Sequence, residues 1–342
     1  GSEMCIRDRS GSASVIGEIG FQSVSGLRIY NVILEGNHIG IVPEKIDYGL
    51  YEFGTTPSSR TISISNIGSE LLTVTDISTD DPEVFLNNLP ALPIVLPSKS
   101  SQSFEVTISI TDTGVFNKTI SVSSNDQDRP EIDIQLTGRA ITIQPARNGH
   151  CYASTGNRDG GRLLQIDPTN GTGTLIGDTD LNAIPGIAIN SEGFIYGLDG
   201  TSGDIYKIDA NTGYTTDPIQ TGINGLVAIA FDTSDVLYGF SSWESSLYTL
   251  DLQTGSSNII GYVGYSLRGL AFHPLNNNLW ANSPYEIFQI NPANASVTWT
   301  GYPDLGYSVT DLDFNLSGCL FATVGGGQNE DNYLASINQS TG

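Results

Sequence analysis

The feature that most constrains this chain is a repeat in its C-terminal half. An aromatic residue closes a short apolar run at Tyr152, Tyr196, Tyr238, Trp280 and Phe321, with spacings of 44, 42, 42 and 41. A second marker keeps the same time: an apolar residue, then Asp or Asn, then a polar turn. Its copies are IDPTNG from Ile166, IDANTG from Ile208, LDLQTG from Leu250, INPANA from Ile290 and INQSTG from Ile337. Two independent markers in phase over five copies define a tandem array. Each period offers four strand-sized pieces, in the clearest case GIAIN from Gly186, FIYGLD from Phe194, DIYKID from Asp204 and TTDPIQ from Thr215. Four short strands in a period of about forty residues predict the blades of a β-propeller, with strands a to d running outward. The array spans 147–342 as about five blades. Its first copy lacks strand a and its last stops at the c-to-d turn, so a truncated ring is expected, drawn from a native set of about six to eight blades.

Composition agrees with all-β structure. Only 15% of residues are charged, Met occurs once, and Gly alone accounts for 39 residues. Such turn-rich chains favour strands over helices, and no stretch of ten or more residues shows convincing 3.6-residue apolar periodicity. The formal charge of −23 comes from 37 acidic and 14 basic residues. No basic stripe exists to neutralise phosphates, so nucleic acid and anionic membrane surfaces are not expected partners. No run of 18 apolar residues occurs, so no membrane insertion is expected. Three cysteines cannot build a disulfide framework. Cys151 and Cys319 sit beside the repeat aromatics and are expected as small buried residues on strands.

Residues 44–140 read as a β-sandwich. Period-two alternation points Ile62 and Ile64 inward, then Phe104, Val106, Ile108 and Ile110, then Ile120 and Val122, then Ile132, Ile134 and Leu136. Turn clusters at Asn66, Leu96 and Ser124 separate these runs, giving about seven short strands in two packed sheets. The succession DYGLYEFGTTP, SISNIGSELLTVTDIS, VLPSKSSQSFEVTIS and GVFNKTISVSSNDQDRPEIDIQLTG resembles the Hydin-type or ASH immunoglobulin-like domain, known in bacterial proteins as the choice-of-anchor D module. Phe53 and Gly54, Asn66, Gly68 and Leu71, Pro97, Ser124 to Asp126, and Leu136 to Gly138 carry the match. The resemblance implies a structural and interaction module without catalytic residues. The fold class is therefore expected to be all-β, an immunoglobulin-like sandwich followed by a truncated propeller.

Two features precede the sandwich. NVILEGN from Asn31 matches DIQLTGR from Asp133, so residues 10–38 are expected to be the last strands of a preceding domain of the same kind. Residues 1–9, GSEMCIRDR, resemble a translated sequencing-adapter string and are expected to be an assembly artefact of a metagenomic fragment. The start of the chain is then silent about a signal peptide.

The chemistry-bearing residues are few. Asp167, Asp209 and Asp251, with Asn291 and Asn338 in register, are expected to cap the c-to-d turns, since Asn keeps an acceptor while losing the charge that a metal ring would need. The histidines, His38, His150 and His273, are isolated, and HExxH, zinc-spaced Cys or His pairs, EF-hand loops and GxSxG are all absent. No metal, cofactor or catalytic set is expected. The repeated ID-x-x-TG resembles quinone-dehydrogenase propellers, but those follow TG with a basic residue and a docking Trp, where this chain has Tyr214 and Ser256. It is more similar to bacterial LYxIDxxTG propellers.

A ligand site is expected on the face where d-to-a and b-to-c loops gather. The variable b-to-c loops supply Asp159, Trp243, Glu244, Tyr285, Glu330 and Asp331 as candidate binding residues, because aromatic faces beside carboxylates suit sugars or protein side chains. The expected function is a non-catalytic secreted or cell-surface protein binding protein or glycan. The alternatives are a propeller hydrolase or lyase acting on polysaccharide or lactone, and a ciliary or centrosomal scaffold.

Overall fold

Alternating apolar residues in the first unit become the two faces of one core. The computed structural model describes residues 34–216, 218–325 and 332–342, and every regular element among them is a β-strand. The chain divides into two compact units, Gly1–Ile141 and Thr142–Gly342. In the first, β1 (Ile39–Val42), β3 (Arg60–Asn66), β7 (Ser101–Ile108) and β5 (Val84–Asn87) form one sheet in the order β1-β3-β7-β5. The other contains β2 (Lys45–Glu52), β9 (Glu131–Ile141), β8 (Gly114–Ser124), β4 (Leu72–Ser78) and β6 (Ile94–Leu96), in the order β2-β9-β8-β4-β6. Ile62, Ile64, Phe104, Val106, Ile108, Ile120, Val122, Ile132, Ile134 and Leu136 share one buried cluster, with Ile110 half-buried against it. Period two places one face of each strand there, and burial of that face drives the packing.

Residues 1–33 lie outside the described residues, so the expected artefact and most of the 10–38 tail are not described. Residues 34–38 dock on the sandwich: the Ser69 N–H donates to the Leu34 carbonyl and the Glu70 N–H to that of Gly36, at 2.8 and 3.0 Å. Strand β1 follows directly as the edge partner of β3.

The second unit is a succession of five antiparallel sheets. The first holds β10 (Cys151–Ser154), β11 (Gly161–Ile166) and β12 (Gly173–Leu181); the second, β13 (Ile187–Ile189), β14 (Ile195–Leu198) and β15 (Ile205–Ile208). The third runs β16 (Leu226–Phe231), β17 (Leu237–Ser241), β18 (Ser246–Leu250) and β19 (Ser257–Tyr262). The fourth has β20 (Gly269–Phe272), β21 (Leu279–Asn282), β22 (Ile287–Ile290) and β23 (Val297–Gly301). The fifth has β24 (Ser308–Phe314), β25 (Leu320–Gly325) and β26 (Asn332–Ile337). The fourth piece of the second period, expected as a strand from Thr215, makes isolated bridges among its described residues, Ile208–Thr215 and Ile205–Ile219. Pro218 falls between them and has no N–H to give a ladder.

The repeat markers have a packing cause. Tyr196 on β14 packs on Phe231 of the next sheet, Tyr238 on Phe272, and Trp280 on Phe314, with centroids 5.5, 4.9 and 5.9 Å apart. These three b-strand aromatics thus fill the gap to the following a strand. In the c-to-d turns the fifth residue returns its N–H to the carbonyl of the Asp or Asn, as Gly213 does to Asp209 at 2.9 Å and Ala295 to Asn291 at 2.8 Å. That position has positive φ in Gly171, Gly213, Gly255, Ala295 and Gly342, which is why Gly dominates it.

Apolar clusters fill the four junctions between consecutive sheets. They are represented by Leu163 and Ile195 in the first, Leu198 and Leu226 in the second, Phe240 and Phe288 in the third, and Trp280 and Val309 in the fourth. The fifth sheet also meets the first: a Cβ on Gly171 would stand 3.7 Å from the Cβ of Leu334 on β26. Among the described residues no apolar cluster spans that last junction. Cys319, expected on a strand and buried, is exposed. It closes the turn before β25, where its N–H donates to Asn315 Oδ1 at 2.8 Å. Cys151 is half-buried on β10.

Candidate functional site

The loop that carries the chain from the fourth sheet to the fifth builds one wall of a cleft, and the tight b-to-c turn of the fourth sheet builds the other. Tyr285 stands at the tip of that turn, closed by the Ser283 N–H donating to the Glu286 carbonyl at 3.0 Å. The opposite wall is Tyr302, Pro303, Asp304, Gly306 and Tyr307, and together these residues enclose about 460 Å³. One hydrogen bond locks the walls together, from the Val309 N–H to the Pro284 carbonyl at 2.7 Å. Tyr285 and Tyr302 are largely exposed, at 64% and 62%. Trp299 packs on Tyr302 at 5.2 Å and Tyr333 on Tyr307 at 5.4 Å, so aromatic surface continues beyond the cleft on both sides. Exposed rings held by neighbours can stack on a ligand at little cost in side-chain entropy.

The other residues expected at a site lie apart from it. Trp243 is 76% exposed in the b-to-c turn of the third sheet, with its ring against Gly225, whose added Cβ would meet the indole at 2.4 Å. Glu244 beside it accepts a hydrogen bond from the Tyr248 hydroxyl. Burial, and then that carboxylate, push the Tyr248 phenol up to about 12. Asp159 is exposed in the corresponding turn of the first sheet. Glu330 and Asp331 lie outside the described residues. Of the expected set, Tyr285 alone lines the described cleft. Tyr302, Asp304 and Tyr307 escape a reading that looks for variation in the b-to-c loops, because they belong to a d-to-a loop. The signal is present in YPDLGY, two tyrosines flanking a turn sequence.

The turn residues sit in their turns. Asp167 Oδ1 accepts from Thr169, Asp251 Oδ1 from Gln253 and Thr254, Asn291 Oδ1 from Ala293, and Asn338 Oδ1 from Ser340. Asp209 reaches outside its turn, because its Oδ2 also accepts the Gln144 N–H at 2.7 Å, whereas Asp167 Oδ2 accepts from Asn170 within the turn.

Two further carboxyls occupy β24, the first strand of the fifth sheet. Asp311 and Asp313 are two apart, which places them on one face of the strand. A Cβ on Gly269 would lie 2.2 Å from Asp311 Oδ1 and 2.5 Å from Asn282 Oδ1, so both oxygens crowd one point. Asn282 is fully buried, and its Oδ1 has no partner. Burial pushes the Asp311 carboxyl up to about 8 against the opposing Leu312 N–H, although the residue is only half-buried. The same cause lifts Asp313 to about 6, although its side chain reaches solvent. Burial, with the Asp313 charge second, raises the Cys151 thiol on the first sheet.

A pH profile follows. Because Asp311 binds its proton more tightly folded than unfolded, its contribution is complete below about pH 4 and is lost as pH rises towards about 8. Asp311→Asn supplies a permanent donor, so its stability relative to the parent is expected to rise steadily across that interval in denaturant titrations. A difference that stays flat with pH would show that Asp311 is not held protonated.

Another cavity, about 730 Å³, lies in the sandwich and includes Asp81, Glu83, Phe85, Thr111 and Lys118 in its lining. Its cation is engaged, since Lys118 Nζ is 2.8 Å from Asp81 and 2.6 Å from Glu83.

No family model matches the sequence, and no curated protein matches it. Among solved structures, hydrazine synthase from Kuenenia stuttgartiensis is similar at 17% identity and a TM-score of 0.35, with 47% of each chain covered. The chain therefore spans about half the length of that enzyme chain. A nidogen/laminin complex is similar at 14% identity and a TM-score of 0.41, covering 65% of this chain and 93% of that one. The ASH / PapD-like domain 7 of human CEP192 is similar at 18% identity and a TM-score of 0.25, covering 36% and 99%.

Proposed function

We propose that the protein is a non-catalytic binding protein of the cell surface or extracellular space, and that its second unit engages glycan in the Tyr285–Tyr302–Tyr307 cleft. One observation carries this reading: three tyrosines and one carboxylate line a cleft whose walls are fixed by backbone hydrogen bonds. Sugar rings offer apolar faces for stacking and hydroxyls for Asp304 to accept. Glycoside hydrolysis needs two flanking carboxyls, and the described lining supplies one. The resemblance of residues 44–140 to choice-of-anchor D modules supports the surface location and a spacer role for the sandwich.

A glycan array probed with the full chain tests this. Binding is expected, with Tyr302→Ala weakening the best ligand about tenfold and Tyr285→Ala/Tyr302→Ala weakening it more, at about 1.4 kcal/mol per factor of ten. An array without signal, or equal affinity in the variants, overturns the reading.

A second reading, a hydrolase or lyase, draws on Asp311 and Asp313, whose carboxyls are held up to about 8 and about 6. Carboxyls set apart in this way are suited to acid and base roles. Product release from polysaccharide or lactone that disappears in Asp313→Asn would favour it over binding alone.

A further inference from the structure

We infer that the sandwich holds a divalent transition cation of the zinc class between His38, Asp126 and Asp128, a site independent of the glycan cleft. The three side chains come from opposite ends of the domain sequence. His38 precedes β1, while the carboxylates lie in the turn joining β8 to β9. Their candidate ligand atoms all fall within 4.8 Å of one another.

The imidazole is set for coordination. Its Nε2 lies 2.8 Å from the Glu35 carbonyl oxygen, which can only accept, so Nε2 carries the hydrogen. In the neutral ring Nδ1 is then a bare acceptor, and it faces Asp128 Oδ2 at 3.6 Å and Asp126 Oδ1 at 4.0 Å. Acceptors thus confront acceptors. A proton on Nδ1 would turn both contacts into ion pairs without a hydrogen bond, since both separations exceed hydrogen-bond length, whereas a metal ion supplies the positive charge and a bond to each ligand. A backbone carbonyl that fixes the far ring nitrogen is the usual support of a metal-bound histidine.

The carboxylates divide the work. Asp126 is 4% exposed and locked in place, its Oδ2 accepting from Ile39 N–H and its Oδ1 from Asp128 and Arg129 N–H. Asp128 is the mobile ligand, with its side chain 75% exposed. Zinc bonds of about 2.0–2.1 Å set ligand atoms roughly 3.3 Å apart in a tetrahedron, so Asp128 at 3.6 Å from Nδ1 closes with a small shift, while the 4.0 Å separation to Asp126 and the overall spread of up to 4.8 Å close through larger movement of the exposed Asp128 and the imidazole. Among the described residues the neighbouring cation is shared: Arg129 makes two bonds of 2.8 and 3.0 Å to Glu44, and its charge also acts on Asp126.

A second observation marks the same junction. Asn37, the neighbour of His38, donates through Nδ2 to the carbonyl of Asn125, the neighbour of Asp126, at 3.4 Å. Its Oδ1 is buried and has no partner. Oxygen of this kind without a donor is rare in folded proteins and calls for an ion or water. Nitrogen from imidazole alongside carboxylate favours zinc or its neighbours over calcium, which prefers an all-oxygen shell. Bound there, the ion ties the residues entering β1 to a turn far along the chain, adding to the linkage already made by Ile39 and Asp126.

The test is calorimetric titration of the tag-free full chain with zinc chloride after chelator treatment. One site is expected to weaken about tenfold or more in both Asp128→Asn and His38→Gln. Asp128 is exposed, so that variant is expected to unfold at the parental temperature in chelator, while zinc raises the midpoint of the parent only. Zinc binding of equal affinity in parent and variants would place the metal elsewhere, on cysteines for instance, and overturn the inference; so would the absence of binding to the parent.

Discussion

Asp209→Asn is expected to destabilise the second unit by about 2 kcal/mol, whereas Asp251→Asn is expected to leave its unfolding midpoint unchanged. Both residues occupy the same repeat position. Asp251 keeps its bonds within its own turn, its Oδ1 accepting the Gln253 and Thr254 N–H groups at 2.8 and 3.1 Å and the Thr254 side chain adding to them. An asparagine keeps that acceptor, and Asn291 and Asn338 do the same work in their own turns. Asp209 uses both oxygens. Its Oδ1 accepts from the Asn211 and Thr212 N–H groups, while its Oδ2 accepts the Gln144 N–H at 2.7 Å. Asp209 is also buried. In Asp209→Asn the amide nitrogen would face one of these donors, leaving two donors opposed away from water. Denaturant titration followed by tyrosine and tryptophan fluorescence separates the cases, and equal shifts in the two variants would refute the distinction.

Gly177→Ala is expected to cost about 3 kcal/mol, near the upper end for overpacking. Gly177 lies on β12 opposite Leu163, beside a register shift. The added methyl would fall 1.9 Å from the carbonyl oxygen of Thr212, in the c-to-d turn of the next sheet. Neither partner can rotate away, because both are backbone. Gly301 meets Thr341 in the same manner at 1.7 Å, so Gly301→Ala serves as an independent repeat of the experiment. Gly222→Ala is a control with different physics: nothing stands within 4 Å of its added Cβ, and only its positive φ resists the change. Thermal unfolding in which Gly222→Ala proves more damaging than Gly177→Ala would contradict the close-approach argument.

Much of the architecture is legible in the chain because it rests on patterns of period two and of about forty-two. Ile62, Phe104 and Leu136 alternate with polar neighbours, and burial follows that alternation. Tyr196, Tyr238 and Trp280 recur because each fills the same gap between sheets. A third marker is hidden: Gly177, Gly261 and Gly301 all lie beside register shifts on outer strands, and a glycine in a turn-rich chain does not stand out. The cleft is half legible. Tyr285 is found through its variable loop, while Tyr302 and Tyr307 come from a connection whose partner is set only by the ring. His38 looks isolated because its carboxylate neighbours, Asp126 and Asp128, are far away in sequence. The docking of the residues entering β1 on the β8–β9 turn, through the Ile39 N–H on Asp126 and Asn37 on Asn125, brings them together.

The junction between the fifth sheet and the first gives the ring the mechanics of a split washer. Four joints are cemented by greasy side chains, whereas among the described residues the fifth has no apolar cluster and is marked by the approach of Leu334 to Gly171 and of the Asp313 charge to Cys151. Breathing motions should concentrate at that gap, where amide hydrogens on β26 would exchange with deuterium sooner than those on β17. The tyrosine cleft straddles a cemented joint instead, so its jaws keep their spacing while the ring flexes elsewhere.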